Sequence, residues 1–294
     1  MTEQIAGHNP FQLPKAFVLK AGGKMLDLSK PVVMGILNLS PDSFYAGSRV
    51  EGEKLLLSQA EKMLTEGALI LDLGAMSSRP GAAEISEGEE TNLLVPAIRS
   101  ISQAFPEILI SADVFRPAAT AAALDAGAHI INNIHGLSAS DSMMRQISEA
   151  GAAYILMHSR GNFSEMHRAQ HYENLVAEVG SELAFALHRA SEAGITDVLA
   201  DPGFGFSKDL QQNFGLFREL SFLTELLDCP ILIGVSRKSM IYRSLNCGPE
   251  EALNGTTALH MAALMQGVHI LRTHDVKEAA ETIQLFLKLC SPES

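Results

Sequence analysis

Short apolar runs recur along the chain, and each closes on a residue that can carry charge or hydrogen-bond. They are Leu69–Gly74 (LILDLG), Ile108–Asp113 (ILISAD), His129–Asn133 (HIINN), Tyr154–His158 (YILMH), Ile231–Lys238 (ILIGVSRK) and Ile270–Asp275 (ILRTHD). The fullest example is Val198–Lys208 (VLADPGFGFSK), where the run ends in an acid, a Pro-Gly turn and a second Gly before helical spacing begins over Leu210–Leu227. Apolar runs of this length, bounded by turn residues, read as buried strands. Eight are predicted, over 32–37, 69–73, 108–112, 129–132, 153–157, 197–200, 231–235 and 269–272. Between them Leu175, Val179, Leu183 and Leu187 recur every four residues, and Ile283, Phe286, Leu287 and Cys290 share one helical face. Ala118–Gly127 reads as an alanine-rich helix with Gly127 as its stop.

Eight strand–helix units predict an α/β protein, a (β/α)8 TIM barrel whose polar strand ends gather on the C-terminal face, where such barrels build active sites. A doubly wound open sheet uses the same units. The absence of a GxGxxG after the first strand, together with the count of eight, favours the barrel. Ahead of the first barrel strand, Phe17–Leu28 (FVLKAGGKMLDL) sets two apolar segments around Gly22-Gly23, which predicts an N-terminal β-hairpin able to plug the bottom of the barrel. Residues 1–14 are polar and aperiodic and read as a flexible tail, leaving 15–294 as a single barrel domain.

Composition narrows the function classes. With 294 residues, 47% hydrophobic and 19% charged, the chain can bury one large core. Its longest apolar stretches, such as Val32–Leu37, are far short of the roughly 20 residues that span a bilayer, and the N-terminus lacks the basic-then-apolar pattern of a secretory signal. No membrane partner is expected, and the cytoplasm is the expected compartment. Cys229, Cys247 and Cys290 are odd in number and widely spaced, which supports neither a disulfide framework nor a zinc site. A formal charge of −12 with no Lys/Arg run argues against nucleic acid as a partner. An anionic substrate would have to meet a few local cations, notably Arg79, Lys238 and Arg272.

Asn38 follows the first strand, where its amide could bind a ligand or a metal-bound oxygen; an Asx turn accounts for it equally well. Ser77, Ser78 and Arg79 follow the acid Asp72 in the second loop and could hold a phosphate, Arg79 through paired donors. Asp113, Asn132 and Asp201 end three strands, with Lys238 beyond a fourth. A lone strand-end acid often only caps the next helix. Several converging in one mouth suit a flat heterocycle rich in N–H groups. Arg272 and His274, near the start of the final helix, sit where barrels often bind phosphate.

The motifs GILNLSPDSF, SSRPGA, ISADVF, IINN, ILMH, ADPGFGF, GVSRKSM and LRTHDV, in this order and spacing, resemble those of dihydropteroate synthases from about Val32 to the C-terminus. The resemblance implies a (β/α)8 barrel that condenses 4-aminobenzoate with (7,8-dihydropterin-6-yl)methyl diphosphate, with Mg2+, releasing pyrophosphate. It also implies a homodimer and a sulfonamide target. By motif, Asp113, Asn132, Asp201 and Lys238 would bind the pterin edge, and Met157 and Arg272 would pack its faces. Asn38, Ser78, Arg272 and His274 would hold the diphosphate, with Asn38 also reaching Mg2+. Phe44, Phe206, Ser236 and Lys238 would shape the aminobenzoate pocket. Asp113, Asp201, Lys238, Arg272 and His274 are the implied catalytic set. The chain departs from the family pattern at Ala46, where Asp is common, at Met76, where Glu or Tyr is common, at Asn133 after Asn132, and at Ser159 after His158. Two other readings stay open: a pterin-dependent methyltransferase with a corrinoid partner, and a non-catalytic pterin-binding paralogue.

Overall fold

A computed structural model describes residues 11–39, 49–76, 84–163 and 165–291. Its first elements are the hairpin strands β1 (Val18–Ala21) and β2 (Lys24–Asp27). Gly22 and Gly23 join them with φ of 54° and 83°, the two positive values that a tight two-residue turn needs. Eight parallel strands follow: β3 (Val32–Asn38), β4 (Ala68–Gly74), β5 (Leu109–Asp113), β6 (Ile130–Asn133), β7 (Ala153–Met157), β8 (Val198–Asp201), β9 (Leu232–Ile233) and β10 (Ile270–Thr273). They are hydrogen-bonded in the order β8-β7-β6-β5-β4-β3-β10-β9, and a parallel bridge between Ala200 and Ile231 brings β9 back to β8 and closes the barrel. The (β/α)8 architecture and the hairpin are as the hydrophobic pattern predicts.

Alternation along each strand sorts the core into two layers. Outward residues such as Leu71, Leu73, Ile110, Ile131 and Leu156 pack with Leu94, Ile98, Val179, Leu183 and Phe286 of the surrounding helices. Inward residues Val32, Met34, Ile70, Leu109, Ile130, Ile155, Leu199, Leu232 and Ile270 fill the lower half of the barrel. The hairpin closes that lower end. Leu19, Ala21 and the following Leu28 join the interior cluster, and each fully buried Leu contributes about 1.5–3 kcal/mol. Gly22 N–H donates to Gly151 O, and the Lys24 ammonium donates to the carbonyls of Pro106 and Ile108, so the plug is fastened by polar contacts at its tip. Of the expected tail, residues 1–10 lie outside the described residues, while Phe11 packs against the outer core.

Two elements differ from the expected spans. The helix expected over Leu210–Leu227 is two helices, Leu210–Arg218 and Leu220–Leu226, broken at Glu219. The Gln266 amide bridges the break: its Nε2–H donates to Phe217 O and its Oε1 accepts from Ser221 N–H, satisfying backbone groups that the break frees. The strand expected over 231–235 keeps ladder geometry only at Leu232–Ile233, because the chain then turns through Gly234 towards Arg237, whose φ is 53°. Elsewhere the expected stops hold. Gly127 ends its helix at φ 110°, and among the described residues no helix is long and apolar enough to cross a membrane.

Candidate active site

Climbing the inward face of the strands, the side chains change from apolar to polar. Ile70 gives way to Asp72, Leu109 to Ser111 and Asp113, Ile130 to Asn132, Leu199 to Asp201, and Ile270 to Arg272. A period of two therefore stacks a polar layer directly above the apolar plug, at the C-terminal mouth.

Asp72, fully buried, is the hub of that layer. Its carboxylate accepts from Ser111 Oγ–H (2.6 Å), Asn132 Nδ2–H (3.0 Å) and Arg272 Nε–H (2.6 Å). Arg272 also donates from Nη2 to Asp113 Oδ2 at 3.0 Å, so one guanidinium is gripped by carboxylates of the second and third barrel strands. Burial of an ion pair is favourable only when the remaining lone pairs find donors, which Ser111 and Asn132 supply. Burial pushes the Asp113 carboxyl up to about 7, against the opposing pull of Arg272, and raises Asp201 as well.

The loop after β8 supplies the facing wall. Asp201 Oδ1 accepts from Gly203 N–H at 2.8 Å. Gly203 has φ 70°, and a Cβ there would lie 1.9 Å from His158 O, so no other residue fits. Lys238 donates from Nζ to Phe204 O at 2.5 Å and sits 4.4 Å from the centre of the Phe206 ring, a cation–π distance. Burial lowers its ammonium to about 8. Between the Ser236 and Lys238 positions, Arg237 holds a left-handed backbone; its guanidinium binds Asp275 at 2.8 and 2.7 Å and its N–H donates to Thr256 Oγ1. Ser236 Oγ accepts from His274 N–H (3.2 Å) and lies 3.1 Å from His274 Nδ1.

A cavity of about 540 Å³ opens over these groups. Its walls include Asn38, Asp113, Phe206, Ser236, Lys238, Arg272 and His274, seven of the predicted site residues. Asn132 and Asp201 lie buried at the strand ends beneath the same mouth, and Met157 packs with Ile134, Met166 and Phe206. Phe44 and Ser78, with Ala46 and Arg79, lie outside the described residues. The departures that can be placed are of two kinds. Met76 lines the cavity. Asn133, pointing outward by parity, donates to Tyr154 O–H and accepts from His135 N–H, and Ser159 donates to Ile134 O at 2.6 Å.

Three charged residues around the mouth carry no predicted role: Asp72 and Arg237, described above, and Lys208, buried against the loop after β8. For Asp72 the signal was available, since it lies two residues beyond the inward Ile70. For Arg237 and Lys208 nothing in the local sequence marks their partners.

Comparison with known proteins gives the family. Residues 34–274 match the family model of the pterin binding enzymes. The chain is 42% identical to the dihydropteroate synthase of Escherichia coli (strain K12), over 91% of this chain and 94% of that one. Among solved structures it is similar to Yersinia pestis dihydropteroate synthase with a sulfonamide drug complex, at 38% identity and a TM-score of 0.85, covering 92% of this chain and 98% of that one. It is also similar to Xanthomonas albilineans dihydropteroate synthase with 4-aminobenzoic acid, at 32% identity and a TM-score of 0.87, covering 95% and 100%.

Proposed function

The chain belongs to the pterin binding enzymes as a dihydropteroate synthase, and we propose that Asp113, Asn132, Asp201 and Lys238 hold its pterin while Asn38, Ser78, Arg272 and His274 hold the diphosphate. The enzyme is a transferase that condenses 4-aminobenzoate with (7,8-dihydropterin-6-yl)methyl diphosphate to 7,8-dihydropteroate and pyrophosphate. The methyltransferase and non-catalytic readings give way to it.

The observation that carries the residue assignment is the polar layer at the barrel mouth, where Asp113 and Lys238 line one cavity and Asn132 and Asp201 lie buried at the strand ends beneath it. Carboxylates suit the ring N–H and exocyclic amine of a pterin, and Asn132 and Lys238 suit its acceptors. Met157 and the Arg272 guanidinium flank the ring faces. Phe44, Phe206, Ser236 and Lys238 shape the aminobenzoate pocket. When the C–O bond breaks, its electron pair leaves with the diphosphate and positive charge develops on the pterin methylene. Asp113 and Asp201 stabilise that charge, and Arg272 and His274 stabilise the departing anion. The amine nitrogen of 4-aminobenzoate then forms the C–N bond and loses a proton.

Mg2+ fits this arrangement. Asn38, exposed at the end of β3 on the cavity wall, offers one hard oxygen donor, and no group of three or more His, Cys, Asp or Glu among the described residues could hold a metal. Such a donor set suits Mg2+ carried mainly by phosphate and water. The ion would draw negative charge off the diphosphate oxygens.

The remaining assignments follow the same reading: a single barrel domain over 15–294, action in the cytoplasm, and a homodimer. Exposed Phe222 and Leu226 beside Gly180, with Phe185 on the same helix as Gly180, support an apolar face for a second copy. Sedimentation at micromolar concentration tests it, a monomer counting against.

Asp201→Asn tests the pterin edge. The substitution replaces an acceptor-only group by one that also presents donors, and loss of a charge-assisted hydrogen bond of about 1.5–3 kcal/mol weakens affinity roughly ten- to a hundredfold or more. Calorimetry with the pterin and a pyrophosphate-release assay read it; unchanged pterin affinity refutes the assignment.

A further inference from the structure

Lys208 follows the Asp201–Ser207 loop and is buried, yet it points away from the substrate cavity. Its ammonium lies 3.0 Å from Pro202 O, 3.2 Å from Gly203 O, 3.3 Å from Phe206 O and 3.0 Å from His158 Nδ1. Three loop carbonyls thus converge on one cation from within the turn. Burying an ammonium is costly unless acceptors replace its water, and here the loop backbone supplies them.

The fourth contact is set from outside the loop. His158 is wholly buried and its Nε2 lies 3.1 Å from Glu182 Oε2. With Nε2 protonated towards that carboxylate, Nδ1 is left as an acceptor for Lys208. Burial and the neighbouring Lys208 cation hold His158 neutral, its pKa lowered to about 4. Glu182 is in turn gripped by Arg160, which also binds Glu178 at 2.7 Å and packs its guanidinium 4.1 Å from the centre of the Tyr172 ring. Arg160 N–H donates to Ser207 Oγ, whose hydroxyl donates to Arg160 O, both at 2.7 Å. Burial lowers the Lys208 ammonium to about 7; Asp201 and Glu182 favour its charge, and Lys238 and Arg160 oppose it.

What this arrangement holds in place is the other side of the same turn. Asp201 accepts from Gly203 N–H, Phe204 O accepts from Lys238, and the Phe206 ring lies beneath the Lys238 ammonium. The carbonyls of Pro202, Gly203 and Phe206 bind Lys208, while the Phe204 carbonyl and the Phe206 ring, in the same turn, meet Lys238. We propose that Lys208, oriented through His158 and Glu182, is a positioning residue for the synthase reaction: it folds the Pro202–Phe206 turn around its ammonium and so fixes where Lys238 and Asp201 meet the pterin. The inference rests on the pterin edge assigned above. It assigns Lys208 no contact with substrate.

Lys208→Met keeps most of the apolar stem and removes the charge. In a full-length variant that melts above the assay temperature, pterin affinity by calorimetry is expected to fall at least tenfold. The alkaline limb of the pH profile of kcat/KM, set by Lys238, is expected to move to higher pH, because the loosened turn lets water reach Lys238 and relieves the burial that lowers its ammonium. A stabilising role alone would lower the melting temperature and leave both readings as in wild type. Should Lys208→Met fail to fold, Glu182→Gln leaves the loop and Lys208 intact but weakens the orientation of His158; it is expected to lower pterin affinity several-fold with the same direction of shift. Folded variants with wild-type affinity and an unmoved alkaline limb overturn the inference. Wild-type protein that fails to bind pterin refutes instead the pterin edge beneath it, and wild-type binding lost in Asp201→Asn but kept in Lys208→Met refutes the role of Lys208 alone.

Discussion

Arg272 Nε lies 2.6 Å from Asp72 Oδ2 across the barrel interior, although the two residues are 200 positions apart. The pair joins the last barrel strand to the second, with β3 between them. Asp72 also receives Ser111 and Asn132, so it orients an arginine on the cavity wall and an amide buried at the end of β6. Asp72→Ala would leave Arg272 half-paired and two donors without their acceptor. Removing one partner of a buried pair costs about 3–5 kcal/mol. Urea denaturation should show a loss of that order, and pterin affinity should fall along with it; a stability loss within about 0.5 kcal/mol, the range of ordinary surface substitutions, would contradict the hub.

Arg272 has two tasks in the proposed reaction, against the pterin face and against the leaving diphosphate. Arg272→Met keeps bulk over the ring and removes the donors. Binding of the diphosphate substrate should weaken far more than binding of the bare pterin, since charge-assisted bonds to phosphate are lost only for the former. Comparable losses for both ligands would assign Arg272 to ring packing alone.

Gly203 occupies a backbone conformation that side chains rarely adopt, and its missing Cβ leaves space for His158 O. Gly203→Ala must displace that carbonyl or the turn. Left-handed backbone costs a non-glycine residue on the order of 1–3 kcal/mol before any clash. The melting temperature and kcat should both drop. An Ala variant with native kinetics would show that the turn tolerates another path.

The Asp113 and Lys238 shifts bracket a pH window. Asp113 at about 7 is raised above its ordinary value, so the folded chain holds a proton that the unfolded chain has lost between about pH 4 and 7, and the stability from this group falls as pH rises across that window. Lys238 at about 8 is lowered, so the unfolded chain holds the extra proton between about pH 8 and 10.4, and stability from this group rises there. Pterin binding runs differently, because it uses the ionised acceptor and the charged lysine. Affinity should rise from pH 6 to about 7.5 as Asp113 ionises and decline above about 8 as Lys238 loses its proton. Calorimetry from pH 5.5 to 9.5 measures this, and Asp113→Asn should flatten the acidic limb while leaving the alkaline one.

Much of this molecule is legible in its sequence. Each strand run is short, apolar and closed by a polar residue, and a period of two then dictates that Asp72, Asp113, Asn132, Asp201 and Arg272 share the interior with the apolar residues two positions below them. The same parity sends Asn133 outward to Tyr154, which keeps that departure out of the barrel interior. Local turn chemistry also reads directly, as at Gly22-Gly23 and Gly127. The tertiary structure decided the pairings. That Arg272 reaches Asp72 and Asp113 depends on barrel closure bringing the last strand beside the first. That the helical pattern after Asp209 breaks at Glu219 depends on Gln266 arriving from another element to take the freed backbone groups. That Lys208 turns inward depends on three carbonyls and a histidine 50 positions away replacing its water. Periodicity is a property of neighbouring residues and survives in the sequence. The partner of a buried charge is chosen by desolvation, which acts only once the chain has closed around it.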